Sequence, residues 1–138
     1  MTKIIYQNSD TGRAVIVTPA PGYTIEDAKK AVPSGVSYEI VEDSVIPSDR
    51  TFRDAWVKDG STLKEDLTKS KVIGHEKRRI ERAKEFKPYD KKVALNISSS
   101  EVTAAEAERA KIRTKYATMQ TNIDNATDIA GIKTALGG

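Results

Sequence analysis

Residues 4–17, IIYQNSDTGRAVIV, contain the pattern that decides the fold class. Two β-branched and aromatic runs, Ile4-Ile5-Tyr6 and Ala14-Val15-Ile16-Val17, flank a cluster of turn-forming residues that ends in Gly12. Such runs favour strands, and a connection of this length is typical of a β-hairpin. Pro19 should end the second strand, because proline cannot donate a hydrogen bond to a neighbouring strand. The front of the chain is therefore predicted to be an antiparallel hairpin.

The next segment adds a short helix and a third strand. Thr24, with Asp27 three residues later, has the spacing of a helix start, and the helix should run to about Ala31 before Pro33 ends it. Residues 37–41, SYEIV, alternate polar and apolar side chains as a half-buried strand does. The order strand, strand, helix, strand predicts a small α+β unit in which one helix covers one face of a sheet.

From Thr68 onward the sequence has the period of a helix. Thr68 can serve as the N-cap, and Pro88 should end or kink the helix near Lys87 because it removes a backbone hydrogen bond. The apolar residues expected on one broad face of this helix are Val72, Ile73, Ile80, Ala83 and Phe86.

A second helix is predicted after a brief connection near Asn96. Ser98 and Glu101 have the spacing of a capping box. An apolar seam follows and is interrupted at Arg109. It is too short to indicate a coiled coil, so packing within the chain is favoured and self-association stays open. The residues of this seam are Val102, Ala105, Ile112, Tyr116, Met119 and Ile123.

A last short helix should restart at Asn125 or Thr127 and close at Gly137-Gly138. The apolar residues that it carries are Ile129, Ile132 and Leu136. The predicted fold class is α+β, with an N-terminal β-β-α-β unit, a C-terminal antiparallel helical hairpin and a short terminal helix. We assign residues 1–60 to a small α+β domain and residues 61–138 to a helical region.

Composition argues against catalytic, metal and cofactor chemistry. The chain has no cysteine, so a thiol nucleophile and thiolate ligands are excluded, and His75 is the sole histidine. No carboxylate grouping has the spacing of a metal site, and no glycine-rich phosphate loop or nucleophile elbow is present. We therefore expect a protein that is not an enzyme and that has no cofactor.

The positive charge of the chain is concentrated in residues 69–92, which hold ten basic and four acidic side chains. The basic residues that should form a stripe on this helix are Lys71, His75, Arg78 and Arg82, with Arg79 nearby. A stripe of this kind can track a phosphate backbone, but it is also typical of a solvated or protein-facing helix surface.

Residues 46–56, IPSDRTFRDAW, contain the only tryptophan. A short helical turn would place Phe52 and Trp56 on one side, at the spacing i and i+4. Such a pair is usually buried, and packing between the two halves is the interpretation we favour. Arg50 and Arg53 beside the two aromatics are also residue types that anchor protein interfaces, so the four residues are candidates for protein interaction.

Neither a signal peptide nor a membrane span is expected. The N-terminal segment becomes polar at Gln7, and no apolar run approaches the roughly 20 residues that a membrane-spanning helix needs. A soluble protein without membrane partners is therefore expected.

The order of these features resembles small proteins encoded by tailed bacteriophages, commonly beside tail or tail-fibre genes. The resemblance is carried by the opening residues 4–8, by residues 46–56 and by the helix through residues 73–76. Its most specific part is residues 49–56, DRTFRDAW, while the helices match only in pattern. The resemblance implies a virion component or assembly factor with other phage structural proteins as partners, located in the virion or the host cytoplasm. It carries over no catalytic residues.

The function that we expect is a non-enzymatic tail-region protein acting by protein–protein interaction, as a tail, fibre or baseplate adaptor or as an assembly chaperone. Two alternatives stay open. One is a nucleic-acid-binding protein that uses the basic helix of residues 69–92, and the other is a phage inhibitor of a host protein.

Overall fold

The computed structural model describes residues 1–137, which form two compact units. We call residues 1–70 the strand unit and the remainder, from Lys71, the helical unit. The predicted α+β class is confirmed. The units divide after Ser70, ten residues beyond the boundary placed from the sequence, because residues 62–65 pair with the strand before them.

The strand unit holds a three-stranded antiparallel sheet, in which residues 2–7 lie between residues 14–17 and residues 38–42. A separate hairpin pairs residues 56–59 with residues 62–65. Ile5 of the central strand lies opposite Ile16 on one side and Glu39 on the other. The predicted hairpin and third strand are thereby confirmed. The elements are β1 (Thr2–Gln7), β2 (Ala14–Val17), α1 (Ile25–Ala28), β3 (Tyr38–Glu42), β4 (Trp56–Asp59) and β5 (Thr62–Glu65).

Local hydrogen bonds explain the turns of the strand unit. In the β1–β2 loop, Asn8 Oδ1 accepts hydrogen bonds from the backbone amides of Asp10 and Thr11, and Gly12 takes a φ of 68°. Glycine adopts this conformation without steric cost, which explains its place in the turn. At the start of α1, Thr24 and Asp27 form the predicted capping box.

The core of the strand unit lies on both faces of β1. Ile4 and Ile5 are adjacent, so their side chains point to opposite faces, yet both are completely buried. The sequence predicted a helix on one face of the sheet and gave no indication that the other face is covered as well. Both faces are covered because β4 as well as α1 packs against β1, and Gln7 Oε1 accepts a hydrogen bond from the backbone N–H of Lys58 at 2.9 Å.

Three helices form the C-terminal part: α2 (Leu67–Leu95), α3 (Ser99–Asn125) and α4 (Ile129–Ala135). The N-cap of α2 is Asp66, whose Oδ1 accepts a hydrogen bond from the Lys69 amide at 2.8 Å, and the prediction of Thr68 was wrong. Asp128, instead of Asn125 or Thr127, caps α4 through the Gly131 amide. Gly138, part of the predicted helix end, lies outside the described residues.

Pro88 lies inside α2, which continues to Leu95. Of the two outcomes predicted at Pro88, an end or a kink near Lys87, the structure contradicts the end. A proline removes a single backbone hydrogen bond, the one to the carbonyl four residues earlier, and the carbonyl of Lys84 lies on an exposed part of the helix where water can replace that bond.

The residues of α2 from Lys71 onward and α3 form the predicted antiparallel hairpin. Polar pairs join positions that run in opposite directions along the two helices: His75 with Asp124, Glu85 with Lys115, and Asp90 with Arg109. The turn between the helices passes through Asn96, whose φ of 47° is left-handed and suits asparagine better than most residues.

The apolar seam predicted on α3 is confirmed, since Ala105, Ile112, Tyr116 and Ile123 are buried. Ser98 caps this helix through the Glu101 amide, as expected. Arg109 occupies the position at which the apolar pattern is interrupted, and its Nε lies 2.9 Å from the Asp90 carboxylate. A single charged residue therefore continues the seam by pairing across it.

The apolar face predicted on α2 is correct only in part, since Ile73 and Phe86 are half-buried while the other three predicted residues are exposed. Val72 is 62% exposed and Ile80 51% exposed. The buried positions on this part of the helix are Gly74 and Arg78. At Gly74 an added Cβ would lie 3.0 Å from the Cγ2 of the buried Ile132 in α4 and 3.6 Å from that of Ile123. The missing side chain of Gly74 therefore allows α2 to approach α3 and α4 closely.

Candidate functional site

The basic stripe predicted on α2 faces α3. Lys71 Nζ donates a hydrogen bond to the backbone carbonyl of Asp124 at 2.9 Å, and His75 Nε2 lies 2.7 Å from the Asp124 carboxylate. Half of the predicted stripe is therefore occupied by contacts within the helical unit. It does not form a continuous cationic track along the outer surface of the helix.

The hydrogen bonds of His75 define the state of its ring. Arg78 Nε donates to His75 Nδ1 at 3.3 Å, so Nδ1 is an acceptor and carries no proton. The carboxylate of Asp124 can only accept, so Nε2 carries the proton and donates to it. Both ring nitrogens are thus used in the packing of the hairpin, which gives the only histidine a structural role.

This hydrogen bond gives a testable result. Replacing Asp124 by alanine is expected to lower the free energy of unfolding by about 1 kcal/mol, because the Nε2–H of His75 loses its acceptor on a side chain that is only 16% exposed. Asp124→Asn is the matched control, since the amide oxygen can still accept. Urea denaturation followed by far-ultraviolet circular dichroism measures both variants. An alanine variant as stable as the parent would contradict the contribution of this bond.

Four arginines surround a pocket of about 320 Å³ in the helical unit, which we call the arginine pocket. Arg78, Arg79 and Arg82 come from α2 and Arg113 comes from α3, and Tyr116 and Gln120 complete the polar lining. Arg78 lines the pocket although only 8% of the residue is exposed. The sequence identified the three arginines of α2 as nucleic-acid candidates, whereas Arg113 joins them only through the antiparallel pairing of the helices.

The arginines of the pocket are not joined to carboxylates by ion pairs among the described residues, although the charge of Asp124 partly favours the protonated form of Arg78. Burial lowers the pKa of the Arg78 guanidinium, and the positive charges of Arg79 and Arg82 lower it further. Arginine nevertheless remains protonated in proteins, so the pocket concentrates positive charge.

Aromatic contacts help to place these arginines. The guanidinium carbon of Arg82 lies 4.8 Å from the centroid of the Phe86 ring, within the range of a cation–π interaction. Such a contact holds the flat guanidinium over the ring without using its N–H donors for a carboxylate. This contact places the exposed Arg82 beside Phe86 at the pocket.

A second cleft of the helical unit, about 460 Å³ in volume, has a mixed lining. Lys115 Nζ lies 2.6 Å from the Glu85 carboxylate, and this bond raises the pKa of Lys115. Burial raises the pKa of Tyr116, and the charge of Glu85 adds to the effect. Lys115 and Glu85 therefore form an ion pair beside the phenol of Tyr116.

The predicted protein-interaction residues do not form one surface. Phe52 and Trp56 are buried, whereas Arg50 and Arg53 are exposed. Residues 53–55 form a single 3₁₀ turn and Trp56 is the first residue of β4, so the expected helical spacing of the two aromatics was wrong. The burial of both rings follows from their size and apolar area, and it leaves only the arginines accessible to a partner.

Two exposed apolar residues of the strand unit were not identified from the sequence. Tyr38 and Ile40 of β3 lie opposite Tyr6 and Ile4 of β1, so all four share one face of the sheet. The β1 residues are buried, while Ile40 is 43% exposed. The alternation of residues 37–41 was a signal for a strand, but it gave no indication that the strand lies at the edge of the sheet.

In residues 1–137 no group of three or more histidine, aspartate or glutamate residues is placed to hold a metal ion. Within the same part of the chain, no helix is both long enough and apolar enough to cross a membrane. Comparison with protein families, with curated proteins and with solved structures found no match.

Proposed function

We propose that the chain is a non-enzymatic bacteriophage tail-region protein that acts by binding other proteins, as a tail, fibre or baseplate adaptor or as a chaperone of their assembly. The observation that carries the protein-binding part is the open apolar edge of the sheet in the strand unit. The assignment to phage tails rests on the resemblance of residues 46–56.

The edge strand β3 offers both backbone and side-chain contacts. It pairs with β1 on one side, and among the described residues no strand pairs with its other side. Its free N–H and C=O groups can accept an added strand, which is a recurring mode of protein recognition. The partly exposed Tyr38 and Ile40 lie along this edge and supply apolar area for a partner. We define Tyr38, Ile40 and the free side of β3 as the edge surface.

Capture from infected cells tests this proposal. A tagged copy of the chain is expected to retain a tail, fibre or baseplate protein, and Ile40→Gln should weaken that capture because it removes apolar area from the edge surface. Glu39→Gln is the matched control, since residue 39 is also exposed and adjacent but its side chain points to the opposite face.

Mass spectrometry of purified particles separates the two forms of the proposal. An adaptor is present in the particle at a fixed copy number, whereas a chaperone is captured from lysates but absent from particles. Retention of a single host protein instead would contradict the tail role and favour an inhibitor of that host protein. Equal capture by the Ile40→Gln and Glu39→Gln variants would exclude the edge surface as the binding region.

A further inference from the structure

The arginine pocket has the composition of a binding site for a compact anion. Its four guanidinium groups come from two helices and converge on a volume of about 320 Å³. One of them, Arg78, is nine-tenths buried. The buried Arg78 lies close enough to Arg79 and Arg82 for their positive charges to disfavour its own, whereas Arg79, Arg82 and Arg113 are exposed to solvent. An anion in the pocket would relieve this repulsion.

The chemistry of the lining indicates the class of anion. Guanidinium groups bind phosphate and carboxylate oxygens in a bidentate manner, and a group of several arginines is the arrangement by which proteins recognise phosphate groups. Gln120 adds a neutral side chain that can donate or accept a hydrogen bond. Four positive charges match a ligand with more than one negative charge better than a single carboxylate.

The length of the positively charged surface indicates whether its ligand is compact or a long polyanion. A nucleic-acid duplex requires cationic residues spread along its backbone. Here Lys71 and His75, the first half of the basic stripe, are bonded to Asp124, so the arginines of the pocket carry the remaining charge of that stripe. We propose that the arginine pocket binds the phosphate groups of a small diphosphate-containing ligand, such as a nucleoside diphosphate.

Isothermal titration calorimetry with inorganic pyrophosphate and with adenosine diphosphate tests this proposal on the full chain. Saturable binding of at least one is expected, and Arg113→Gln should weaken it by about tenfold or more, because a charge-assisted hydrogen bond is lost. Arg113 is suited to substitution since it is exposed on α3, and circular dichroism verifies that the variant is folded. Arg50→Gln, an exposed arginine of the strand unit, is the matched control and should bind like the parent.

The two probes also identify which part of the ligand is recognised. Equal affinities indicate that the phosphate groups alone are bound, and tighter binding of adenosine diphosphate indicates that the nucleoside contributes. The proposal is overturned if neither probe binds, or if Arg50→Gln weakens binding as much as Arg113→Gln. Binding of a labelled oligonucleotide without binding of either small probe would also overturn it, in favour of a nucleic-acid surface.

Discussion

Replacing Ile123 by alanine is expected to lower the free energy of unfolding of the helical unit by about 2–5 kcal/mol. Ile123 is completely buried near the end of α3, where its Cγ2 lies 3.6 Å from the position of a Cβ on Gly74. The backbone of Gly74 and the side chain of Ile132 fix the neighbouring surface, so the cavity left by the substitution cannot readily collapse. The loss then includes both the transfer of the removed carbons and the empty volume.

Denaturation followed by far-ultraviolet circular dichroism measures this loss, because most helical residues belong to α2 and α3. Ile80→Ala is the matched control: the same substitution on a side chain that is 51% exposed should change the free energy of unfolding by at most about 0.5 kcal/mol. A comparable loss at both positions would contradict the assignment of the core of the helical unit.

Replacing Phe52 by alanine is expected to lower the free energy of unfolding of the strand unit by about 3–5 kcal/mol. Phe52 is 1% exposed and immediately precedes the 3₁₀ turn that leads into β4. The single tryptophan, Trp56, is buried at the start of the same strand and supplies an intrinsic fluorescence signal for this unit. Urea denaturation followed by tryptophan fluorescence is therefore the appropriate measurement.

Arg53→Ala is the control for this substitution. Residue 53 is next in the chain but exposed, so the variant should unfold at nearly the same urea concentration as the parent. If Arg53→Ala destabilised the strand unit as much as Phe52→Ala, the packing of the aromatic ring would not be the source of the stability.

Local signals in the sequence were sufficient to predict most of the strands and turns of the strand unit. The β1–β2 hairpin depends on a polar turn between two β-branched runs, and the start of α1 depends on Thr24 and Asp27, which lie three residues apart. These interactions are short-range, so the residue types specify them directly. The spacing of Phe52 and Trp56 was misleading because i and i+4 also fits a tight turn followed by a strand.

The orientation of α2 could not be predicted because its apolar residues do not all lie on the buried face. Hydrophobic periodicity assumes that apolar residues face the core. In α2 the residues that face α3 include His75 and Arg78, whereas Val72 and Ile80 are exposed. His75 is hydrogen-bonded to Asp124, which is 49 residues away in the sequence. Pairings over such distances are not visible in the local pattern.

The candidate sites could be predicted only in part, because they too depend on contacts between residues that are far apart in the sequence. Helical spacing brings Arg78, Arg79 and Arg82 together on α2, and the sequence identified them. Arg113 joins them only when α3 returns antiparallel to α2. The edge surface likewise depends on the strand order β2-β1-β3, which residues 37–41 do not reveal.

The charged pairs between α2 and α3 favour the observed register of the hairpin over a slip that moves residue 108 to the position of residue 115. The apolar seam of α3 approximates a heptad, so a slip of seven residues would again present apolar side chains to α2. Such a slip would place Glu108 where Lys115 now meets Glu85, and the attraction would become repulsion. It would also remove Arg109 from Asp90. The charged pairs thus disfavour the slipped arrangement that the apolar residues alone would tolerate.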